Sequence, residues 1–173
     1  MLLPIYIYGH PILRKVSEDI TPEYEGLSKL LDDMWQTMYE SDGVGLAAPQ
    51  IGRNIRIFVI DGSPFEEVDP ACKDFKKAFI NAHILERTGE DVPFNEGCLS
   101  IPGIHEDVMR KDRIKIAYRD ENWVEHVEEF TGTRARIVQH EYDHLDGIMF
   151  TDHLSALKKR LLKGKLSNIS AGK

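Results

Sequence analysis

The chain has 173 residues, 42% of them hydrophobic, and carries 22 Lys/Arg against 29 Asp/Glu for a formal charge of −7. That length gives one globular domain room for a core, while no run approaches the ~20 apolar residues of a membrane span and the start lacks a signal-peptide pattern. Two cysteines, Cys72 and Cys98, exclude a disulfide framework, and the acidic body argues against specific DNA binding.

In chain order, Thr21-Pro22 reads as a helix cap followed by proline at the first helical position. Leu27, Leu30, Leu31, Met34, Trp35 and Met38 then recur at helical spacing up to Ser41-Asp42-Gly43. The following stretch, Gly43-Val44-Gly45-Leu46-Ala47-Ala48-Pro49-Gln50, is rich in small residues and ends on a polar amide. Alone it reads as a tight loop near packed backbone, since no strand-then-helix context or basic residue completes a nucleotide loop. Strands are expected at 55–60, 78–85, 113–119 and 124–130, the last two joined in a hairpin by Asp120-Glu121-Asn122. Residues 61–80 read as an inserted polar loop that varies freely, with Cys72 incidental in it.

A further helix is capped by Thr131 or Thr133 and stopped at Gly147. From Leu154 onward there are six Lys/Arg and no acids. Leu157, Lys158, Lys159, Arg160 and Leu161 suggest a basic, partly amphipathic helix there, weighed against the solvated tail that such charge runs more often form. The expected class is α+β, with antiparallel β-sheets packed around a central metal-binding helix and a helix near each end. Residues 1–173 then form a single domain, with 154–173 as its basic helix or tail.

The chemistry concentrates in Gln139-His140-Glu141-Tyr142-Asp143-His144, an H-E-x-x-H pattern. On a helix, residues i and i+4 share a face, so both imidazoles reach one metal ion. Glu141 lies beside that ion, placed to take a proton from a water. Ile137, His140, Glu141, His144, Leu145 and Ile148 form one stripe, and Arg136, Gln139, Asp143 and Asp146 the opposite face. Burying two imidazoles and a carboxylate in an apolar stripe is costly unless a divalent cation compensates them.

A catalytic site of this kind needs a third protein ligand. The longer H-x-x-G-x-x-H continuation fails at Phe150, and no Glu follows Glu141. Asp152 and His153 remain available without a motif. Upstream, Glu96-Gly97-Cys98-Leu99-Ser100 places a cysteine between small residues before Pro102-Gly103; a thiolate there completes a Cys/His/His set, although a lone cysteine is more often buried structure. His105-Glu106 is no second metal motif, because Met109 stands where its second histidine belongs.

Taken together, G-x-G-L-A-A-P-Q, E-G-C-L-S and Q-H-E-x-D-H-L-x-G resemble the three signature motifs of the peptide deformylase family, and Pro11-Ile12-Leu13-Arg14 stands where that family carries P-x-L-R. The resemblance spans nearly the whole chain and implies removal of the formyl group from the N-terminal formyl-methionine of nascent polypeptides in a bacterial or organellar setting. It implies Cys98, His140 and His144 as ligands of one divalent ion, Fe2+ natively, with Zn2+, Ni2+ or Co2+ able to substitute. Glu141 becomes the proton carrier, and the Gln50 amide and Leu99 N–H become donors to the developing oxyanion. The peptide is expected to add as a strand along Val44, Gly45 and Leu46, opposite Glu96 and Gly97, with Val44 and Ile137 walling an apolar methionine pocket.

Ile137 departs from the cysteine of many members, and His105 from their arginine. A thiolate ligand favours a reducing cytoplasm. The basic end suggests transient ribosome contact, and no membrane partner is expected. The rival readings are an H-E-x-x-H metallopeptidase and an inactive homologue with a structural metal, against which Glu141 and Gln50 argue because a structural site needs neither.

Overall fold

The structure, a computed structural model, describes residues 1–172. Helix α1 spans Leu27–Glu40 and buries Leu30, Leu31, Met34 and Met38. It begins later than Thr21-Pro22 suggests: that pair opens a turn closed by the Tyr24 N–H on the Thr21 carbonyl at 3.0 Å. The helix instead starts from Gly26, at φ +75°, where the apolar stripe begins, because tertiary burial of that face stabilises a short helix more than its cap does.

Five strands join in one antiparallel sheet in the order β1-β2-β3-β4-β5. They are β1 (Gly45–Ala47), β2 (Ile57–Asp61), β3 (Lys76–Cys98), β4 (Ile101–Arg119) and β5 (Glu125–Thr131). The expected strands at 78–85 and 113–119 are only the outer ends of β3 and β4, a long hairpin paired from Ile80↔Arg119 to Cys98↔Ile101 with four register shifts. The middle of β3 is mostly exposed and no hydrophobic alternation marks it, whereas β4 keeps an inward phase through Ile104, Val108 and Ile114. Leu99-Ser100 is the two-residue turn at its tip.

Residues 61–75 are not a free loop. They form two short 3-10 turns, Ser63–Phe65 and Pro70–Cys72, and bury Cys72 and Phe75 in the same apolar cluster as Phe58, Phe79 and Phe130. Cys72 is therefore core, not incidental.

Helix α2 (Gly132–Leu145) packs against β1, β2, β4 and β5. Thr131 is its N-cap residue but gives no side-chain bond; Asp69 accepts from the Thr133 N–H at 3.2 Å in its place. Gly147 follows the helix at φ +74°, and a Cβ there would stand 2.6 Å from the Arg14 carbonyl oxygen. The face opposite the stripe is largely enclosed as well: Arg136, Gln139 and Asp143 are buried and Asp146 is half-buried, because a central helix has protein on nearly every side.

Helix α3 (Ala156–Ser170) is regular, not a tail, and is capped by the Ser155 hydroxyl on the Lys158 N–H. Its buried face is Leu162, Leu166 and Ile169, packed with Leu13, Ile101 and Phe150. Leu157 and Leu161, the expected apolar face, are exposed. The amphipathic stripe lies one position away from where the leucines nearest the charge run suggested.

Candidate metal centre

Two pieces of backbone meet at the site. Cys98 stands at the tip of the β3–β4 hairpin, and His140 and His144 lie one turn apart on α2. One ligand atom from each of the three lies within 4.8 Å of the others, with Cys98 Sγ 3.4 Å from His144 Nε2. Burial alone would push the Cys98 thiol up, but the adjacent His144 and His140 rings bring it down to about 5. A thiolate and two imidazoles suit several divalent transition metals.

His140 is oriented by Glu96, whose Oε1 lies 2.8 Å from Nδ1, leaving Nε2 for the centre, as in carboxylate–histidine pairs at metal sites. Glu96 also accepts from Arg110 Nε at 2.8 Å and from Arg136 Nη1 at 2.8 Å. Burial opposes ionisation of Glu96, yet His140 and Arg110 hold its carboxyl well below the usual carboxylate range. Arg110 continues to Asp143 Oδ2 at 2.7 Å, which also meets His153 Nε2 at 2.8 Å.

Glu141 is almost fully buried, with Oε1 3.9 Å from His140 Nε2. Burial pushes its carboxyl up. Its Oε2 and His144 Nδ1 have no hydrogen-bond partner among the described residues. An orphan buried carboxylate oxygen is expensive, and one beside three convergent ligand atoms fits a site that completes itself with a cation and a polar guest. The donor set and this orphan together satisfy what a divalent ion requires.

Gln50 Oε1 accepts from the Ala47 N–H at 2.9 Å, while its Nε2 donates to Ser100 Oγ at 3.0 Å and approaches Cys98 Sγ at 3.5 Å. The amide is thus locked facing the centre. Val44, Gly45, Gln50, Glu96, Gly97, Leu99 and Ile137 line one cleft of about 460 Å3 with Cys98, His140 and Glu141. Leu46 does not line it: its side chain is buried beneath α1 with Met34 and Ile57, leaving only its backbone, on edge strand β1, near the site.

Asp152 and His153, unassigned as ligands from sequence, are committed elsewhere. Asp152 pairs with Arg14 Nη1 at 2.6 Å, and His153 with Asp143. Residues missed by sequence reasoning are Arg110, Arg136, Asp143, Ser100, Phe65 and Phe94. Arg110 carried a usable signal: Ile104, Val108, Ile114, Ile116 and Tyr118 mark the even positions of β4 as inward, and Arg110 falls in that phase.

The sequence model of the polypeptide deformylase family matches residues 2–160. A peptide deformylase of Christiangramia forsetii is 55% identical, covering 100% of this chain and 92% of the relative, and one of Salinibacter ruber is 43% identical over 99% and 90%. Among solved structures, the peptide deformylase of Thermus thermophilus superposes with a TM-score of 0.87 at 37% identity, covering all of both chains. A Plasmodium falciparum peptide deformylase solved with an inhibitor gives 0.83 at 36% identity, over 95% of this chain and 97% of that one. With the family's sequence model matched along most of its length and its fold shared from end to end, the chain belongs to the polypeptide deformylase family.

Proposed function

We propose that the chain is a metal-dependent hydrolase that removes the formyl group from N-formylmethionyl peptides of nascent chains, releasing formate. The observation that carries this reading is the convergence of Cys98, His140 and His144 within 4.8 Å beside the partnerless Glu141 Oε2. Cys98, His140 and His144 would hold one divalent ion, which when bound supplies a Lewis acid that acidifies water and polarises a carbonyl.

The residues then divide the work. Glu141, kept basic enough by burial to hold a proton, accepts one from the attacking water and delivers it to the departing amine as the C–N bond breaks. The Gln50 amide and the Leu99 N–H donate to the oxyanion, each worth about 3 kcal/mol in barrier. The peptide backbone lies along Val44, Gly45 and Leu46 on the edge of β1, with Glu96 and Gly97 on its other side and Ile137 beneath its first side chain.

Fe2+ is the native ion in this reading, with Zn2+, Ni2+ or Co2+ as substitutes, and a reducing cytoplasm preserves the thiolate. Both cysteines are free, and no helix among the described residues is long and apolar enough to cross a membrane. Residues 1–173 work as one catalytic domain, closed by the basic segment 154–173. Anaerobic purification with elemental analysis, coupled to formate release from formyl-Met-Ala, tests the reading. Stoichiometric metal and formate are expected; free methionine without formate would instead indicate a metallopeptidase.

The exposed basic face of α3, with Lys158, Lys159 and Arg160 beside exposed Leu157 and Leu161, favours transient docking on ribosomal RNA. Because the other face is core, charge reversal at Lys159, Arg160 and Lys163 is the proper test. Co-sedimentation with ribosomes unchanged by it would rule the contact out.

A further inference from the structure

A 3-10 turn over Phe150–His153 packs beside the metal centre without lining the cleft. It is firmly anchored. The Met149 N–H donates to Asp152 Oδ2 at 3.0 Å, the Leu154 N–H donates to the Thr151 carbonyl at 3.2 Å, and Arg14 pairs with the same Asp152. Phe150 is buried, and its ring stacks on that of His140, with centroids 6.0 Å apart and 27° between the planes.

His153, at the far end of this turn, begins a string of ion pairs that ends on the same His140 ring. Its Nε2 lies 2.8 Å from Asp143 Oδ2; a carboxylate oxygen only accepts, so Nε2 carries the proton and donates. Arg110 Nη1 donates to that same oxygen at 2.7 Å, and its Nε and Nη2 donate to the two oxygens of Glu96 at 2.8 and 3.1 Å. Glu96 Oε1 then meets His140 Nδ1 at 2.8 Å. The further contact of Asp143, Arg87 on Oδ1 at 3.4 Å, is too long to fix the carboxylate. Asp143, Arg110 and Glu96 are buried, whereas the His153 side chain is 34% exposed. Glu96 stands two residues before Cys98, and Asp143 directly before His144. The string therefore ties the hairpin that carries the thiolate to the helix that carries both imidazoles, and His153 is its end toward solvent.

We propose that His153 is a positioning residue for the metal centre: by fixing Asp143 it holds Arg110 and Glu96 in register, and so keeps His140 and the Cys98 hairpin at the separation one ion requires. This rests on the metal-dependent reading given under Proposed function. The orientation of a buried carboxylate is set by all of its donors together, and losing one shifts it toward those that remain. Here the shift passes through a planar, bidentate guanidinium to the partner that orients His140. The two ends of the turn act on one ring in different ways: Phe150 limits its tilt from the face, and the string from His153 limits its rotation through Nδ1.

The experiment loads wild type, His153→Leu and His153→Gln with Co2+ and follows the loss of the cobalt absorption bands after excess chelator is added. His153→Leu is expected to release the ion about three- to ten-fold faster than wild type, a smaller change than that of a partner touching the ligand itself. Glutamine places an amide N–H near the position of Nε2, so His153→Gln should stay within about two-fold of wild type. His153→Ala carries the expectation of His153→Leu and serves if that variant does not fold. Leu30→Ala, in the separate cluster under α1, controls for general destabilisation and should release at the wild-type rate. Release from His153→Leu at the wild-type rate overturns the positioning role, as does equally fast release from His153→Gln or Leu30→Ala. A wild type that binds no Co2+ overturns the metal-dependent reading itself, which an unchanged release rate leaves standing.

Discussion

Gly45 and Glu141 occupy one space: a Cβ on Gly45 would stand 2.6 Å from Cγ and 2.7 Å from Oε1 of Glu141. Gly45 is paired with Ile60 across β1 and β2 and cannot recoil without breaking the ladder. Glu141 must therefore rotate if a methyl group is added. Displacing a proton carrier by an ångström costs on the order of 100-fold in rate, so Gly45→Ala should lower kcat by about that factor while metal content is unchanged. Formate release with elemental analysis checks it, and a wild-type kcat would show that the carboxylate need not sit there.

Glu96 carries four contacts on one carboxylate, two from Arg110 and one each from Arg136 and His140. Glu96→Gln removes the charge that balances two buried guanidiniums. Breaking a buried pair in this way costs about 3–5 kcal/mol, readable by urea denaturation. Loss of the His140 orienter should weaken metal binding by roughly 10- to 100-fold, measured by competition with a chelator. Wild-type metal affinity in this variant would sink the orienting role.

Arg14 ties the N-terminal segment to two later ones, through Asp152 and the Gly147 carbonyl at 3.0 Å. Burial would raise the Asp152 carboxyl, but Arg14, the Met149 N–H and Lys159 outweigh it and hold it below its ordinary value. A carboxylate whose folded pKa is depressed adds stability above its unfolded pKa of about 3.9, and loses it as pH falls through the folded value. The pair is substantially exposed, so about 0.5–1 kcal/mol is expected. The stability gap between wild type and Arg14→Ala should therefore shrink between pH 7 and roughly pH 3, leaving the part due to Gly147. An equal gap at both pH values would refute the ion-pair contribution.

On α3, two nearby leucines should respond in opposite ways. Leu166→Ala empties a site packed among Leu13, Ile101 and Phe150 and should cost about 2–5 kcal/mol. Leu161→Ala, at an exposed position, should stay within about 0.5 kcal/mol. Thermal or urea unfolding of the two variants side by side decides it, and equal losses would mean that α3 does not dock by the 162–166–169 face.

Much of this protein is legible locally. The i, i+4 spacing places His140 and His144 on one face wherever a helix forms, Gly147 stops that helix because only a residue free at positive φ ends it there, and the α1 stripe marks its own burial. The Asp120-Glu121-Asn122 hairpin follows from turn chemistry in the same way. These are effects of backbone geometry over one or two turns, and the sequence states them directly.

Relationships at longer range come only with the folded chain. Glu96 meets Arg110, Arg136 and His140 across 14, 40 and 44 residues, and Phe65 reaches the cleft from a segment that reads as polar filler. The first depends on the register of the β3–β4 hairpin, which shifts four times along its length and which the exposed middle of β3 does nothing to announce. Equally, α2 reads as one-sided because periodicity reports a helix's own pattern, whereas burial of Arg136 and Asp143 depends on what the rest of the chain stacks against them. Side chains that compensate one another's charge in a core are free to look like surface residues when taken one at a time.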